Sequence, residues 1–412
     1  MRRQNPFKTI HPFTGSLFVL LAGVLLSFIA VNIDFFNPLV RALEDYRMTD
    51  VVYSDFKDPV PPNENIVLIN IGPAALGREG FAALLDRINQ QDPAVVAVDA
   101  FFFKLSDPDS DRLLASALGK THQLVMASKL DHLDEKSSVF RTVRQSAPKF
   151  LSGRSGFANF ITDGEEGYLT TRRFSWRERV ADSVHYSFCA EIVRAYDSTA
   201  FRQLEQRSNA NEIINYRGNL NSFQRLDFTE VLDTNTDLSF LRSKLVLMGY
   251  LGDRMGQSTL EDCFYTPLNP ELGGRSVPDM YGIVVHANIL AMILDQSYIT
   301  EVPTSVDYIL GFVLCLFNAG VFIWFGERYR QSAQLLMRVV QLIQGVILSG
   351  LVIYFLAEHN LYLDMSFALA ILFITADFIE MYDGLLAGRI ERLQQKLQLQ
   401  WRRIQSHSMN QP

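Results

Sequence analysis

Read by hydropathy alone, the chain is four long apolar runs set around a middle of different texture. Ser16 to Ile33 (SLFVLLAGVLLSFIAVNI) carries no charge until the chain beyond it. Three further runs crowd the other end: Tyr308 to Phe325, Val339 to Leu356 and Leu361 to Phe378. Each approaches the length an apolar helix needs to cross ~30 Å of hydrocarbon. The last is the weakest, because Asp364 and Asp377 lie near its ends. In the middle, short apolar runs alternate with stretches whose apolar residues recur every three or four positions. Ile66 to Ile71, Ala94 to Asp99, Gln123 to Ala127, Glu212 to Tyr216 and Lys244 to Tyr250 read as strands, and Phe81 to Asn89 and Asp111 to Leu118 as helices. Continuous apolar strands suit burial on both faces. The middle is therefore expected to be an α/β domain with a mostly parallel sheet covered by helices, alongside four transmembrane helices. Pro278 to Leu294 (PDMYGIVVHANILAMIL) is apolar as well, but Gly282 to Leu294 is too short to span and predicts a buried core helix.

Charge orients this layout. Arg2, Arg3 and Lys8 precede the first run and Asp34 follows it; no small-residue cleavage site is convincing, so the run reads as an uncleaved anchor. The connection between the second and third runs holds Arg328, Arg330 and Arg338 against Glu327, and the next connection holds Glu358 and Asp364 without Lys or Arg. After the fourth come Arg389, Arg392, Lys396, Arg402 and Arg403. The basic segments fall on one side if all four runs cross. The expected organisation is a cytoplasmic N-terminus (1–12), a span (13–33), an extracytoplasmic domain (34–303), three spans (308–325, 339–356, 361–378) and a cytoplasmic tail (383–412). In that tail Ile390, Leu393, Leu397, Trp401 and Ile404 share one helix face, which suits a coiled coil with a second copy or a separate partner, or a basic amphipathic helix on membrane lipid.

Composition narrows the chemistry. With 412 residues, 48% hydrophobic and 20% charged, and a net charge of −7, the chain lacks the basic excess a nucleic-acid binder needs. Cys189, Cys263 and Cys315 show no metal-ligand spacing; Cys189 and Cys263 are two buried thiols or a pair. There is no Walker loop, HExxH, strand-bounded GxSxG or CxxC, so neither an enzyme nor a cofactor is expected. Within the apolar runs Asn318, Gln341, Gln344 and Asp377 are too few for an ion path, and the amides are expected to bond between helices. In open α/β sheets ligands bind beyond the carboxyl ends of strands. That directs attention to Asp99 and to the Gly249–Arg254 turn, which contains Asp253.

Several short motifs run in an unusual order. NIVLINI is followed by DPAVVAVDAFF; GFANFITDGEEG (Gly156 to Gly167) precedes Arg172 and Arg173; then come INYRG (Ile214 to Gly218), KLVLMG with Glu261-Asp262 and Thr266-Pro267, and GIVVHANIL. In this order, with one apolar run before and three after, the chain resembles the second class of CHASE sensors, the cyclase- and histidine-kinase-associated extracellular sensory domains of bacteria. The resemblance covers about 13 to 382. It implies an inner-membrane receptor with both termini cytoplasmic, detecting an unidentified extracytoplasmic ligand or protein. Gly72-Pro73 stands where the family usually has an aspartate, and the tail stands where relatives continue into a cyclase or kinase domain, so a separate signalling partner is expected. The resemblance makes Asp99, His286 and Asn288 candidate ligand contacts, against roles as a turn cap or as braces between helix and sheet. Arg217, Asp253 and Asp262 are weaker candidates, with Arg217 expected to pair with Asp253 or Asp262, and Thr266-Pro267 a fixed turn. The competing expectation is a structural or docking subunit of a cell-envelope complex.

Overall fold

The computed structural model describes residues 12–32, 52–53, 60–73, 76–134, 139–163, 170–209, 211–255, 260–269, 277–329 and 331–382. The tail face at Ile390, Leu393, Leu397, Trp401 and Ile404 lies outside the described residues. The chain divides into two compact units, residues 43–299 and the two flanking ends together.

The 43–299 unit is built on a nine-stranded sheet. In chain order the strands are β1 (Asn63–Asn70), β2 (Val95–Val98), β3 (Leu124–Asp134), β4 (Val139–Arg144), β5 (Arg154–Phe157), β6 (Ile161–Asp163), β7 (Thr170–Ser175), β8 (Arg177–Val180), β9 (Ser183–Tyr186), β10 (Asn211–Ile213), β11 (Phe223–Leu226), β12 (Leu245–Gly249), β13 (Cys263–Phe264) and β14 (Met280–Tyr281). The large sheet runs β11-β1-β12-β2-β3-β4-β8-β9, with β5 also paired to β3. Helices α2 (Gly77–Asn89), α3 (Pro108–Lys120), α4 (Phe188–Tyr196), α5 (Ser198–Glu205), α6 (Phe228–Leu232) and α7 (Gly282–Leu294) follow α1 (Pro12–Asn32), which belongs to the other unit.

The sheet is mixed, which corrects the expectation of a mostly parallel one. β11, β1, β12, β2, the start of β3 and β5 pair in parallel, whereas β4 returns antiparallel along Lys129–Asp134 of β3, and β9 returns along β8. The cause is legible in β3 itself. Leu124 to Ser128 are buried without a break, as a strand between two parallel neighbours requires, and beyond Leu130 the residues emerge toward solvent, as a half-covered hairpin permits. Glu212 to Tyr216 also departs from expectation. Its strand, β10, joins β7 and β6 in a separate three-stranded antiparallel sheet.

Alternation along the parallel strands builds two faces. Val67, Ile69, Val96, Val98, Leu124, Met126, Val246 and Met248 form one core with Phe81, Leu84, Leu85 and Ile88 of α2, Leu114 and Leu118 of α3 and Val231 of α6. The opposite face is covered by α4 and α7. Twelve consecutive residues of α7, Gly282 to Ile293, are buried, so this apolar helix owes its composition to a sheet, as expected. All three cysteines are free thiols.

The other unit holds α1, α8 (Thr304–Arg328), α9 (Ala333–His359) and α10 (Ser366–Tyr382), with a short pair of strands, β15 (Thr300–Glu301) and β16 (Leu361–Tyr362), at one end. Among the described residues two helices, α8 and α9, are long and apolar enough to cross a membrane, not four. The described part of α10 has 17 residues and the described apolar part of α1 ends at Gly23, so neither enters that count. Asp307 near the start of α8 accepts from the backbone N–H groups of Phe367 and Ala368 at 3.1 and 3.0 Å, capping the first turn of α10. Gln341 of α9 donates to the carbonyls of Leu372 and Phe373 on α10 at 2.7 and 3.0 Å, the interhelical amide bond that was expected. Asp377 is paired with Arg338, whereas both polar atoms of the Asn318 side chain are buried without a partner among the described residues.

Candidate functional site

Beyond the carboxyl ends of β2 and β5, and beside β3, the sheet opens on a cavity of about 260 Å³. Asp99 lies at the first step past β2, where the apolar run that fills the sheet ends; its backbone N–H donates to the Met248 carbonyl at 2.8 Å, which carries the sheet pairing one residue further. Ser128 and Lys129 come from β3, and Ala158, Asn159 and Phe160 from the segment leaving β5. Asn159 fixes that segment, its Oδ1 accepting from Leu130 N at 2.7 Å and its Nδ2 donating to Leu130 O at 3.1 Å. The remaining wall is Phe101, Asp262, Phe264, Gly282 and His286.

Two local features bring Asp262 into this wall. Its backbone takes a left-handed conformation, φ 54°, which an aspartate tolerates better than a branched residue. The backbone N–H of Gly282, first residue of α7, donates to the Asp262 carbonyl at 2.9 Å. A Cβ on Gly282 would stand 3.1 Å from both Asp262 Oδ2 and the Phe264 ring, so the missing side chain lets the carboxylate and the ring approach the helix.

His286 sits one turn into α7, 3% exposed. Its ring lies 4.5 Å from the Phe160 centroid and 5.2 Å from that of Phe188. Nδ1 is 3.3 Å from the Cys189 thiol, and Nε2 is 4.0 Å from Asp99 Oδ2. The second distance is too long for a hydrogen bond. Nor is it an ion pair, because burial pushes the imidazole down to about 3 and keeps it neutral.

The carboxyls move the other way. Burial, and next the charge of Asp262, raise Asp99 from 3.8 to about 7; Asp262, exposed at the cavity mouth, is raised to about 6 by the protein packed around it and next by the charge of Glu261. No donor among the described residues bonds either side-chain carboxylate.

Cys189, His286 and Asp99 have the residue types of a nucleophile, base and carboxylate set. The geometry withholds two requirements of a nucleophilic thiol, access and a thiolate. Cys189 is 1% exposed and outside the cavity wall, and burial, followed by the charge of Asp99, pushes its thiol well above the ordinary range. Among the described residues no three His, Cys, Asp or Glu side chains converge as a metal would require.

The structure separates the other candidates from this crevice. Asn288, fully buried, braces α7 to the INYRG segment: Oδ1 accepts from Arg217 N at 2.7 Å and Gly218 N at 3.3 Å, and Nδ2 donates to the carbonyls of Gly218 and Val284, both at 2.9 Å. Arg217 pairs with Asp295 and donates to Pro61 O at 2.8 Å, so its partner is neither Asp253 nor Asp262. Asp253 accepts from the Tyr250 hydroxyl at 3.2 Å on an exposed turn. That turn is stapled by Asn70, which accepts from Leu251 N at 2.9 Å and donates to Gly252 O at 2.9 Å. Thr266 donates its hydroxyl to Asp279 at 2.6 Å and organises the Thr-Pro turn. Of the six candidate ligand contacts, Asp99, Asp262 and His286 are brought together. Phe160, Phe264, Ser128 and Lys129 were not foreseen as site residues. For Phe160 the signal was the GFANF motif; the others lie in runs with no distinguishing pattern.

A sequence model of the family described as CHASE2 domain matches residues 18–321. No curated protein and no solved structure matches the chain.

Proposed function

Since the chain belongs to the CHASE2 domain family, whose members are sensory extracellular domains, we propose that it is a bacterial inner-membrane receptor. In this reading the 43–299 unit lies outside the cytoplasm and binds a signal in the crevice over Asp99, Asp262 and His286. α1, α8, α9 and α10 cross the membrane, both termini are cytoplasmic, and the tail face at Ile390, Leu393, Leu397, Trp401 and Ile404 engages a second copy or a separate signalling protein. The observation that carries the reading is the crevice itself, an open cavity walled by ionisable and aromatic side chains at the end of the sheet where such folds bind ligands. The wide apolar surface that α8 and α9 leave exposed, including Ile309, Val313, Phe317, Leu342, Val346 and Ile347, supports placing them in lipid. The chain gives the crevice a direct route onward, since the helix that carries His286 ends at Leu294 and α8 begins at Thr304. A ligand acts through such a route only by binding two arrangements of the domain differently.

The test is topological. Single cysteines at exposed positions, Leu105→Cys in the 43–299 unit and Gln334→Cys after α8, are introduced with Cys263 replaced by serine. They are then exposed to a membrane-impermeant maleimide in intact and permeabilised bacteria. The expected result is labelling of Leu105→Cys in intact cells and of Gln334→Cys only after permeabilisation. Labelling of Gln334→Cys in intact cells would remove the four-span reading, and protection of Leu105→Cys would remove the receptor.

A further inference from the structure

Resting on that reading of the crevice, we infer that its occupant is a small organic cation, an ammonium group held by Asp99 and Asp262 and flanked by the rings of Phe101, Phe160 and Phe264. Four observations converge on this class.

First, two carboxylates line one cavity, and no donor among the described residues bonds either of them. Asp99, its side chain 13% exposed, is stripped of most of its water with no donor in its place, whereas Asp262 stands exposed at the cavity mouth. An occupant with N–H donors and a positive charge supplies both that donor and a countercharge.

Second, the walls are aromatic and held in place. Phe160 meets Phe264 edge to face at 4.9 Å, and Phe101 stacks on Phe103 at 5.1 Å. Phe160 and Phe264 are half-buried and Phe101 is exposed at the mouth, and ring faces attract cations at such partly solvated sites as well.

Third, the nitrogen groups at the site do not supply that charge themselves. His286 is neutral, its side chain is 4% exposed, and its Nε2 faces Asp99 without a hydrogen bond. Lys129, from β3, is exposed at the rim and pairs with neither carboxylate.

Fourth, the size and donor set are those of a small molecule and not of a metal. At ~30 Å³ per water the cavity holds about eight or nine waters, and so an occupant of about that many non-hydrogen atoms. A divalent metal would lack a third ligand among the described residues. An anion would meet two carboxylates.

The inference carries a pH signature. Asp99 after β2, Asp262 before β13, His286 on α7 and Lys129 on β3 line the cavity, and the titratable groups next to them are Glu261 beside Asp262 and the Cys189 thiol behind His286 on α4. Of these, Asp99 and Asp262 titrate near 7 and 6, and the cation prefers them ionised. Binding therefore releases protons at low pH and strengthens as pH rises through 6 to 7.

The experiment is calorimetric titration of the full chain in lipid nanodiscs at pH 5 and pH 8. The probes are benzylammonium and tetramethylammonium chlorides, with benzyl alcohol, sodium benzoate, calcium chloride and zinc chloride as comparisons. At least one ammonium probe is expected to bind, about tenfold or more tighter at pH 8 than at pH 5. Asp99→Asn is expected to lose about tenfold of that affinity at pH 8 and to flatten the pH dependence, while Phe160→Leu weakens binding and leaves the pH dependence in place. Thermal unfolding of each variant confirms that it is folded. Binding of neither ammonium probe, or equal binding of benzyl alcohol or benzoate, overturns the cation. So does calcium or zinc binding with the same pH dependence. An Asp99-dependent neutral or anionic compound would leave the crevice a binding site and remove only the ligand class; probes that bind without regard to Asp99 would remove both.

Discussion

Replacing Arg207 with alanine is expected to cost the 43–299 unit about 3–5 kcal/mol of stability, the largest effect of any single substitution considered for it. Arg207 follows α5, and Glu212 lies in β10 with its side chain 1% exposed. The pair is bidentate, Nε to Oε1 at 2.6 Å and Nη2 to Oε2 at 2.9 Å, and the guanidinium lies over the Tyr298 ring at 3.9 Å. Removing the guanidinium leaves a carboxylate in a site with almost no water, and it removes the packing on Tyr298. The penalty comes from the orphaned charge and not from the net worth of the pair. Arg207→Met combined with Glu212→Leu is therefore expected to lie within about 1 kcal/mol of the native protein. Trp176 reports the transition, since it is fully buried in this unit and its indole donates to Asn209 O at 2.7 Å, two residues from Arg207. Urea unfolding followed by that fluorescence decides the matter. A single alanine variant within about 1 kcal/mol of native would show that Glu212 finds other partners or water.

Asn288→Ala is expected to cost about 2–4 kcal/mol, from two sources that add. The side chain is fully buried and satisfies the backbone N–H groups of Arg217 and Gly218 and the carbonyl of Gly218. Its removal strands those groups away from water and opens a hole between α7 and the INYRG segment. Asn288→Asp tests the polarity of the brace, because a carboxylate accepts from the two N–H groups but cannot donate to the Gly218 carbonyl. It is expected to be destabilised while ionised and partly rescued at low pH, when the protonated carboxyl regains a donor. Neither variant is expected to change the ligand preference of the crevice at temperatures where the domain is folded. A loss of ligand binding in folded Asn288→Ala would restore it as a ligand contact.

The parts of the fold that were readable in the sequence are those whose periodicity reflects burial. The runs at Ile66–Ile71, Ala94–Asp99, Gln123–Ala127 and Lys244–Tyr250 each contain a strand of the parallel core. The apolar Gly282–Leu294 formed the buried helix its length required. What stayed hidden was decided by pairing at a distance. β4, β8 and β9 are short and half-exposed, with alternation too brief to distinguish from a loop, and β3 continues into them without a break in sequence character. β10 looks like a core strand locally, yet it pairs with β7, reached across more than thirty residues of chain, and through β7 shares a sheet with β6. The site divides in the same way. Asp99 was legible because a carboxylate ends an apolar strand, and His286 because it interrupts an apolar helix. Asp262 and the rings of Phe160 and Phe264 come from irregular segments, where side-chain direction depends on a left-handed backbone at Asp262 and a glycine at 282. The expected pairing of Arg217 failed for a related reason. Several carboxylates follow it in sequence, and only the docking of α7 selects Asp295.

The central claim is that Asp99 is kept for binding and not for stability, and its substitution by asparagine tests this most directly. A carboxyl moved from 3.8 to about 7 favours the folded state while it is protonated in both states, and loses that contribution as pH rises toward 7. The unfolded state binds fewer protons across that window, so native stability falls from about pH 4 to about pH 7 and is level above it. Asparagine has nearly the same shape and no charge to desolvate. Urea unfolding of the full chain, read by Trp176 at pH 5 and pH 8, is expected to find Asp99→Asn about 1–2 kcal/mol more stable than native at pH 5 and about 4 kcal/mol more stable at pH 8. A variant less stable than native at pH 8 would contradict the account, because Asp99 would then be holding the fold together.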